Sequence, residues 1–165
     1  MLYSIAVMNK ATERRTGQSD PFDDMLGYHL RRLSVLAMAD LTQSLEPLKL
    51  TPAHASILFV IAANPQITQS DVGKMLGILR ANMAPLIALL VERGFIKREA
   101  VDGRSHAMRL SALGQTVCRQ ARDIAKDHEE RIFGDLSRAA RARMITALNE
   151  LWRKNGKDQT PPTRR

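Results

Sequence analysis

The chain has 165 residues and a formal net charge of +8 at pH 7, and 44% of its residues are hydrophobic. That length suits one hydrophobic core but is short for two ordinary domains, and the apolar content excludes an intrinsically disordered chain. The single cysteine, Cys118, excludes an intrachain disulfide and favours a reducing compartment. The positive surplus favours a polyanionic partner, either nucleic acid or an anionic membrane surface, and solubility alone is the alternative.

The N-terminal residues, 1–20, are mixed in polarity and are predicted to form a flexible arm. Their apolar start precedes Lys10, Arg14 and Arg15, an order opposite to that of a signal peptide. No apolar run approaches the roughly 20 residues that a membrane span needs. We therefore expect a cytoplasmic protein with no membrane partner.

Two helices are predicted next. The first covers about 22–46, because apolar residues recur there at helical spacing, and Pro47 ends it. Thr51 and Pro52 open the second, since a capping hydroxyl followed by proline suits a first helical turn. This second helix is expected to end near Asn64.

A pair of shorter helices follows. Thr68 is predicted to cap the third helix, with Asp71 returning a bond as in a shortened capping box. Gly77 is predicted to end it in a left-handed turn. The fourth helix covers about 80–93 and is closed by Gly94. Two helices joined by a glycine-containing connection are typical of a helix-turn-helix.

A β-hairpin is predicted directly after this pair, with strands over 95–99 and 105–110. A hairpin in this place indicates the wing of a winged helix-turn-helix. Arg104 lies at the predicted tip, and the narrow minor groove of DNA suits an arginine. Asp102 would orient an arginine and Gly103 would allow the tight turn. Alternatively, these three residues form an ordinary solvated turn.

Two long helices complete the predicted elements. Ser111 is predicted to cap a helix over 112–133, and Ser137 to cap one over 138–153. The remaining residues, 154–165, are predicted to be a disordered tail. The expected fold class is therefore mainly α with a small β-hairpin: a winged helix-turn-helix flanked by long terminal helices.

The fourth helix is the expected DNA-reading element, because the second helix of a helix-turn-helix enters the major groove with its N-terminal residues nearest the bases. Arg80 can bind guanine and Asn82 can bind adenine through two hydrogen bonds, and an alanine methyl can contact a thymine methyl. Cations on the hairpin are expected to contact phosphates. The predicted DNA-binding residues are Arg80, Ala81, Asn82, Ala84, Pro85, Lys97, Arg98, Arg104 and Arg109.

Several segments together resemble the MarR family of regulators. They are LTP at 50–52, VERGFIKR at 91–98, DGRS at 102–105 and LSALG at 110–114. The resemblance covers about 22–153. It implies a single domain over 21–153, in which about 50–110 form the winged helix-turn-helix and about 22–46 and 112–153 are dimerisation helices. It also implies a homodimer that binds pseudo-palindromic, double-stranded operator DNA as a repressor, and that a small ligand releases.

The recognition helix departs from the family pattern. Leu79 stands where the family often has a serine cap, and Pro85, Ala88 and Leu89 stand where polar or basic residues are common. These departures make the helix less charged than usual. Phosphate contacts must therefore come from its surroundings.

The terminal helices carry more apolar surface than a small winged domain covers. In the family the terminal helices of two subunits interlock, whereas a monomeric helical core is the alternative. The predicted interface residues are Phe22, Leu26, Ile132, Phe133, Leu136, Leu148, Leu151 and Trp152.

The family's effector crevice lies between the dimer helices and the winged part. The candidate effector-binding residues are His29, Arg31, Arg32, Ser34, Met38, His54, Phe59 and His106. Arg31 and Arg32 would bind an acidic effector, such as an aromatic carboxylate or a CoA thioester, or else form a solvated face. Each histidine is alternatively a satisfied core or boundary residue.

Other classes of function find little support. The four histidines show no metal-ligand spacing, and neither a glycine-rich phosphate loop nor a nucleophile motif is present. We expect no enzymatic activity, no metal and no cofactor. Cys118 is interpreted as a structural thiol rather than a redox switch. The remaining alternatives are a non-specific architectural DNA-binding protein and a protein-interaction module on the same scaffold.

Overall fold

A computed structural model describes residues 20–100 and 106–155. The chain divides after Leu36 into two compact units. The predicted N-terminal arm, apart from Asp20, lies outside the described residues, as does the predicted tail from residue 156 onward. The predicted wing tip, with Asp102, Gly103 and Arg104, also lies outside them.

Helices dominate the described residues. They are α1 (Leu26–Leu45), α2 (Pro52–Ala63), α3 (Gln69–Leu76), α4 (Arg80–Glu92), α5 (Ala112–Phe133) and α6 (Arg138–Asn155), with a 3-10 turn at Glu46–Leu48. Within residues 20–100 and 106–155, no single helix is long and apolar enough to cross a membrane. By length and composition α3 and α4 pass that test only as a pair, bent by 116°. The last helix extends through Asn155, beyond its predicted end at 153.

The described part of the first unit is a turn followed by the start of α1. The side chain of Asp20 accepts a hydrogen bond from the backbone N–H of Phe22 at 3.0 Å. The backbone N–H of Met25 donates to the Phe22 carbonyl at 2.9 Å. Because these bonds hold the preceding backbone in a turn, α1 begins at Leu26 and not at the predicted residue 22. The rings of Phe22 and Tyr28 stack with centroids 4.8 Å apart.

Local capping chemistry sets the other helix boundaries. Thr51, Thr68 and Ser111 each accept a hydrogen bond, between 2.9 and 3.3 Å long, from the backbone N–H three residues later. These contacts confirm the three predicted starts. Gly77 ends α3 and Gly94 follows α4, with φ angles of 65° and 71° that glycine adopts without strain.

The second unit contains a three-stranded antiparallel sheet in the order β1-β3-β2. Its strands are β1 (Ile67–Thr68), β2 (Ile96–Ala100) and β3 (His106–Leu110). The predicted hairpin is β2 with β3, whereas β1 was not predicted, because two residues are too few to show alternation. Ile67 pairs with Met108 and Thr68 with Ala107, so the residues that lead into α3 are joined to the middle of β3.

The core of the second unit lies between α2, α4, α5 and the sheet. Its fully buried side chains include Ile57, Leu58, Val72, Ile87, Leu90 and Met108. By contrast, α6 contains no buried residue. The core therefore holds the helix pair and the hairpin in place, and it leaves the apolar side chains of α6 uncovered.

Candidate functional site

The connection between α3 and α4 has the geometry of a helix-turn-helix. The pair is bent by 116°, within the range of about 90–120° for this motif. A Cβ atom on Gly73 would lie 3.1 Å from the Ile78 carbonyl oxygen and 3.2 Å from the Met83 side chain. Glycine at this position therefore lets the end of α3 approach α4 closely, and Gly77 supplies the left-handed turn between them.

One face of α4 is fixed inward by the core. Met83, Ile87 and Leu90 are buried at helical spacing. The opposite face is exposed, and it carries the predicted base-reading residues Arg80, Ala81, Asn82, Ala84 and Pro85. The structure therefore brings these five side chains together on one outward surface.

The start of α4 lacks a capping side chain. Leu79 precedes the helix and makes no side-chain cap hydrogen bond, although its carbonyl accepts from the N–H groups of Asn82 and Met83 at 2.9 and 3.1 Å. Pro85 lies inside α4, and the helix continues through it. Because proline has no N–H, the carbonyl of Ala81 has no helical partner at that position. Pro85 thus removes one bond without ending the recognition helix.

An electrostatic contact strengthens the first turn of α3. The Thr68 hydroxyl donates to one Asp71 carboxylate oxygen at 2.7 Å, and the Lys74 ammonium lies 3.1 Å from the other. The hydroxyl, and then the ammonium, lower the pKa of Asp71 below its usual range. The ionised carboxylate therefore stays at the helix N-terminus, where the backbone dipole favours negative charge.

The structure describes three of the predicted cations of the hairpin, Lys97, Arg98 and Arg109. All three are exposed, but two of them already have protein partners. Arg109 forms an ion pair with Glu99 on the neighbouring strand. Arg98 donates to the Gln69 side-chain oxygen at 3.4 Å, which links the hairpin to α3. Lys97 makes no ion pair with any carboxylate in the described part of the chain.

Three of the effector candidates on the first unit contact neighbouring residues of the same unit. The His29 Nε2 atom lies 2.8 Å from the Asp23 carbonyl oxygen. The guanidinium groups of Arg31 and Arg32 lie 5.7 and 5.4 Å from the centre of the Tyr28 ring. Ser34 is exposed. The exposed His29 ring thus has a backbone partner within the turn.

His54, on the second unit, acts as a helix cap. Its Nδ1 atom accepts the Thr51 backbone N–H at 3.2 Å, while the Thr51 side chain accepts the His54 backbone N–H. Burial, and then the Arg93 guanidinium, lower the pKa of His54. The buried neutral ring thus takes the place that glutamate or glutamine holds in a capping box. Met38 and His106, the other candidates here, are exposed on α1 and β3.

Phe59, one of the predicted effector-binding residues, lies in a cleft of about 580 Å³. The Arg122 guanidinium lies 5.5 Å from the centre of the Phe59 ring. The other lining residues come from α5 and α6: Ala125, Lys126, Glu129, Glu130 and Arg141. Arg141 and Glu129 form an ion pair between these two helices. The spacing of Arg122 and Lys126, four apart on α5, is the sequence signal that could have indicated this shared face.

Two further groups have structural roles. The Cys118 thiol is buried and donates to the Leu58 carbonyl with a sulfur–oxygen distance of 3.7 Å, in agreement with the interpretation of a structural thiol.

Asp40 on α1 contacts both His128 and Arg131 on α5, at 2.7 and 2.8 Å. Within residues 20–100 and 106–155, no group of three histidine, cysteine or acidic residues is arranged to hold a metal ion.

The predicted interface residues are mostly uncovered. On α6, Leu148, Leu151 and Trp152 are exposed, with 65% of Trp152 accessible. Ile132, Phe133 and Leu136 are half-buried near the end of α5. In the first unit, Phe22 and Leu26 are exposed. An exposed apolar stripe of this kind on one helix indicates a surface that another element covers.

Comparisons with known proteins agree with this geometry. The model of the MarR family matches residues 48–105. A protein from Thauera aromatica, named as a candidate transcriptional regulatory protein for the hcr operon, is 26% identical over 139 residues, which are 82% of each chain.

Solved structures extend the likeness to nearly the whole of their chains. The transcriptional repressor CouR bound to a 23-mer DNA duplex is 30% identical, with a TM-score of 0.74 over 81% of this chain and 99% of that one. CouR bound to p-coumaroyl-CoA is 31% identical, with a TM-score of 0.72 over 82% of this chain and 97% of that one. This chain belongs to the MarR family and is a transcriptional regulator, not an enzyme.

Proposed function

We propose that this regulator is a homodimeric repressor that binds pseudo-palindromic operator DNA and releases it on binding an aromatic acyl-CoA thioester. The observation that carries the proposal is the outward face of α4. This face is held at the helix-turn-helix angle by the core and bears Arg80 and Asn82 in its first turn. Those two side chains are suited to guanine and adenine edges in the major groove.

The uncovered face of α6 supports the dimer. No residue of this helix is buried within one chain, although Leu148, Leu151 and Trp152 are large and apolar. Burying one such side chain is worth about 1.5–3 kcal/mol. A dimer in which a second copy covers this face would therefore be strongly stabilised. A symmetric dimer would separate two recognition helices by roughly 34 Å, one turn of DNA.

The Phe59 cleft supports an anionic aromatic effector. Its volume lies in the range that small-molecule sites occupy. The Phe59 ring offers a stacking surface, and Arg122 and Lys126 offer positive charge for a carboxylate or phosphate. CouR, a relative at 31% identity, is bound to p-coumaroyl-CoA in its solved structure, which supports the same chemical class here.

A footprint on the DNA beside the protein's own gene tests the function. Sharp protection of two half-sites one helical turn apart is the expected result. Diffuse protection would contradict the proposal in favour of a non-specific architectural protein, and absence of protection would favour a protein-interaction module. Binding should also weaken steeply with salt, because phosphate contacts release counterions.

Calorimetry and operator release test the effector. Aromatic acyl-CoA thioesters should bind and should lift the footprint, and the matching free acids should bind more weakly. Arg122→Ala should weaken thioester binding without loss of operator affinity. Arg119→Ala is the matched control, because Arg119 lies on the same helix and donates to Thr116 outside the cleft lining. Equal binding by both variants would contradict this site.

A further inference from the structure

The outward face of α4 carries an apolar stripe. Ala81, Ala84, Pro85 and Ala88 are all exposed, and they recur at the spacing of one helix face. Leu89 beside them is 37% accessible. The rotation of the helix is fixed by its buried residues, so this stripe is the surface that a groove-bound helix presents to the bases.

Side chains that form strong hydrogen bonds are confined to the two ends of this face. Arg80 and Asn82 lie in the first turn, and Glu92 is the last residue of the helix. Between Asn82 and Glu92, no side chain contains nitrogen or oxygen. The middle turns therefore cannot recognise a base edge through such a bond. In the major groove, the apolar group that a base presents is the C5 methyl of thymine.

Small side chains also allow a close approach. An α-helix with its side chains is about 10–12 Å across, and the major groove is about 12 Å wide. A face made of alanine and proline is narrower than one made of long side chains. The Cβ atoms of this face can therefore reach the base edges themselves.

We propose that Ala84, Pro85 and Ala88 recognise thymine methyl groups, so that each operator half-site presents thymines to the second and third turns of α4. This inference rests on the proposed function, because duplex DNA is the occupant that it assigns to the stripe. The exposed cations Arg80, Lys97 and Arg98 in the same unit suit a polyanion better than an apolar protein surface.

Selection of duplexes from a random-sequence library by the full-length protein, followed by uracil substitution, tests the inference. Uracil keeps the base pairing and the O4 acceptor of thymine but lacks the methyl group. In the selected half-site, replacing thymines singly by uracil should raise Kd about fourfold at two or more positions. A fourfold change in Kd corresponds to about 0.8 kcal/mol, which is the free energy gained when one CH₂ group is buried away from water.

Variants identify the protein side of each contact. Ala84→Gly or Ala88→Gly should reduce the effect of uracil at one thymine to less than about twofold. Ala62→Gly, the same change at an exposed position near the end of α2, should leave the fourfold effect intact. A selected operator insensitive to uracil at every position would overturn the inference alone. Failure to enrich any sequence would overturn the proposed function with it.

Discussion

Asp40 on α1 accepts a 2.7 Å hydrogen bond from the buried ring of His128 on α5, although 88 residues separate them in the chain. Arg131 donates to the same carboxylate at 2.8 Å and to the Ser44 hydroxyl at 2.7 Å. These contacts join the C-terminal part of α1 to α5. Buried polar groups of this kind are costly when they lose their partners, so the cluster fixes how the two helices pack.

Asp40→Asn should lower the free energy of unfolding at pH 7 by about 1–3 kcal/mol, because it removes the charge that satisfies His128 and Arg131. The Arg131 hydrogen bond, with that of His128, lowers the pKa of Asp40 despite its burial. The folded state therefore binds this proton more weakly than the unfolded state.

Asp40 therefore stabilises the folded protein fully above pH about 3.9, the pKa of an aspartate in the unfolded chain. This stabilisation is lost as the pH falls through the lower pKa that Asp40 has in the folded protein. Denaturant unfolding of the wild type and of Asp40→Asn at several pH values would show that the difference in their free energies of unfolding decreases in acid. Asp123→Asn, which removes an exposed ion pair with Lys126, is the control and should change little. Equal stability of wild type and Asp40→Asn at pH 7 would refute the role of the cluster.

His54 should make the protein less stable as the pH falls below about 6.5. Folding lowers the pKa of His54, so the unfolded state binds the proton more tightly than the folded state does. The stabilisation that is present above pH about 6.5 is therefore lost as the pH falls toward the pKa of His54 in the folded protein. Protonation also removes the Nδ1 acceptor for the Thr51 N–H. Thermal unfolding between pH 5 and 8 should show a flatter profile for His54→Gln, whereas His106→Gln, at an exposed position, should retain the wild-type slope.

Gly114→Ala should destabilise the protein by about 2–4 kcal/mol. A Cβ atom at this position would lie 2.0 Å from the carbonyl oxygen of Phe95, and that oxygen accepts the Ser111 N–H. Gly27→Ala is the opposite case, because nothing lies within 4 Å of its added methyl and α1 would gain up to about 1 kcal/mol of helix propensity. Midpoints of chemical denaturation measure both, and similar midpoints would disprove the packing argument.

Arg80→Ala and Lys97→Ala should weaken DNA binding in different ways. Loss of a base contact at Arg80 should cost about 1–3 kcal/mol on the specific operator and relax specificity at one base pair. Loss of Lys97 should weaken binding to specific and to non-specific DNA about equally. It should also reduce the slope of log affinity against log salt concentration by about one. Titrations of both duplex types at several salt concentrations separate these outcomes. Uniform weakening by Arg80→Ala would exclude it from base reading.

Leu148→Glu should produce a monomer with weakened operator binding, because it places a charge within the apolar stripe of α6. Asn149→Glu, the next exposed position on the same helix, keeps the stripe intact and should remain dimeric. Sedimentation at micromolar concentration measures the oligomeric state of each. A monomeric wild-type protein would count against the proposed interface.

The helices, most of their boundaries and the outward face of α4 follow from local sequence patterns, although α1 begins at Leu26 and not at the predicted residue 22. A hydroxyl such as that of Thr68 and a glycine such as Gly77 act on backbone within a few residues, and the spacing of Met83, Ile87 and Leu90 sets which side of a helix turns inward. These are local interactions, and they can be recognised in one sequence without knowledge of the rest of the fold.

Which distant groups meet depends on tertiary packing. The pairing of β1 with β3, the cleft that joins Phe59 to Arg122, and the contact of Asp40 with His128 all require chain closure over long separations. No periodicity marks such partners, because each depends on how complete helices pack against one another. Tertiary packing also buries the ring of His54, a candidate effector-binding residue, whereas its cap contacts with Thr51 are local.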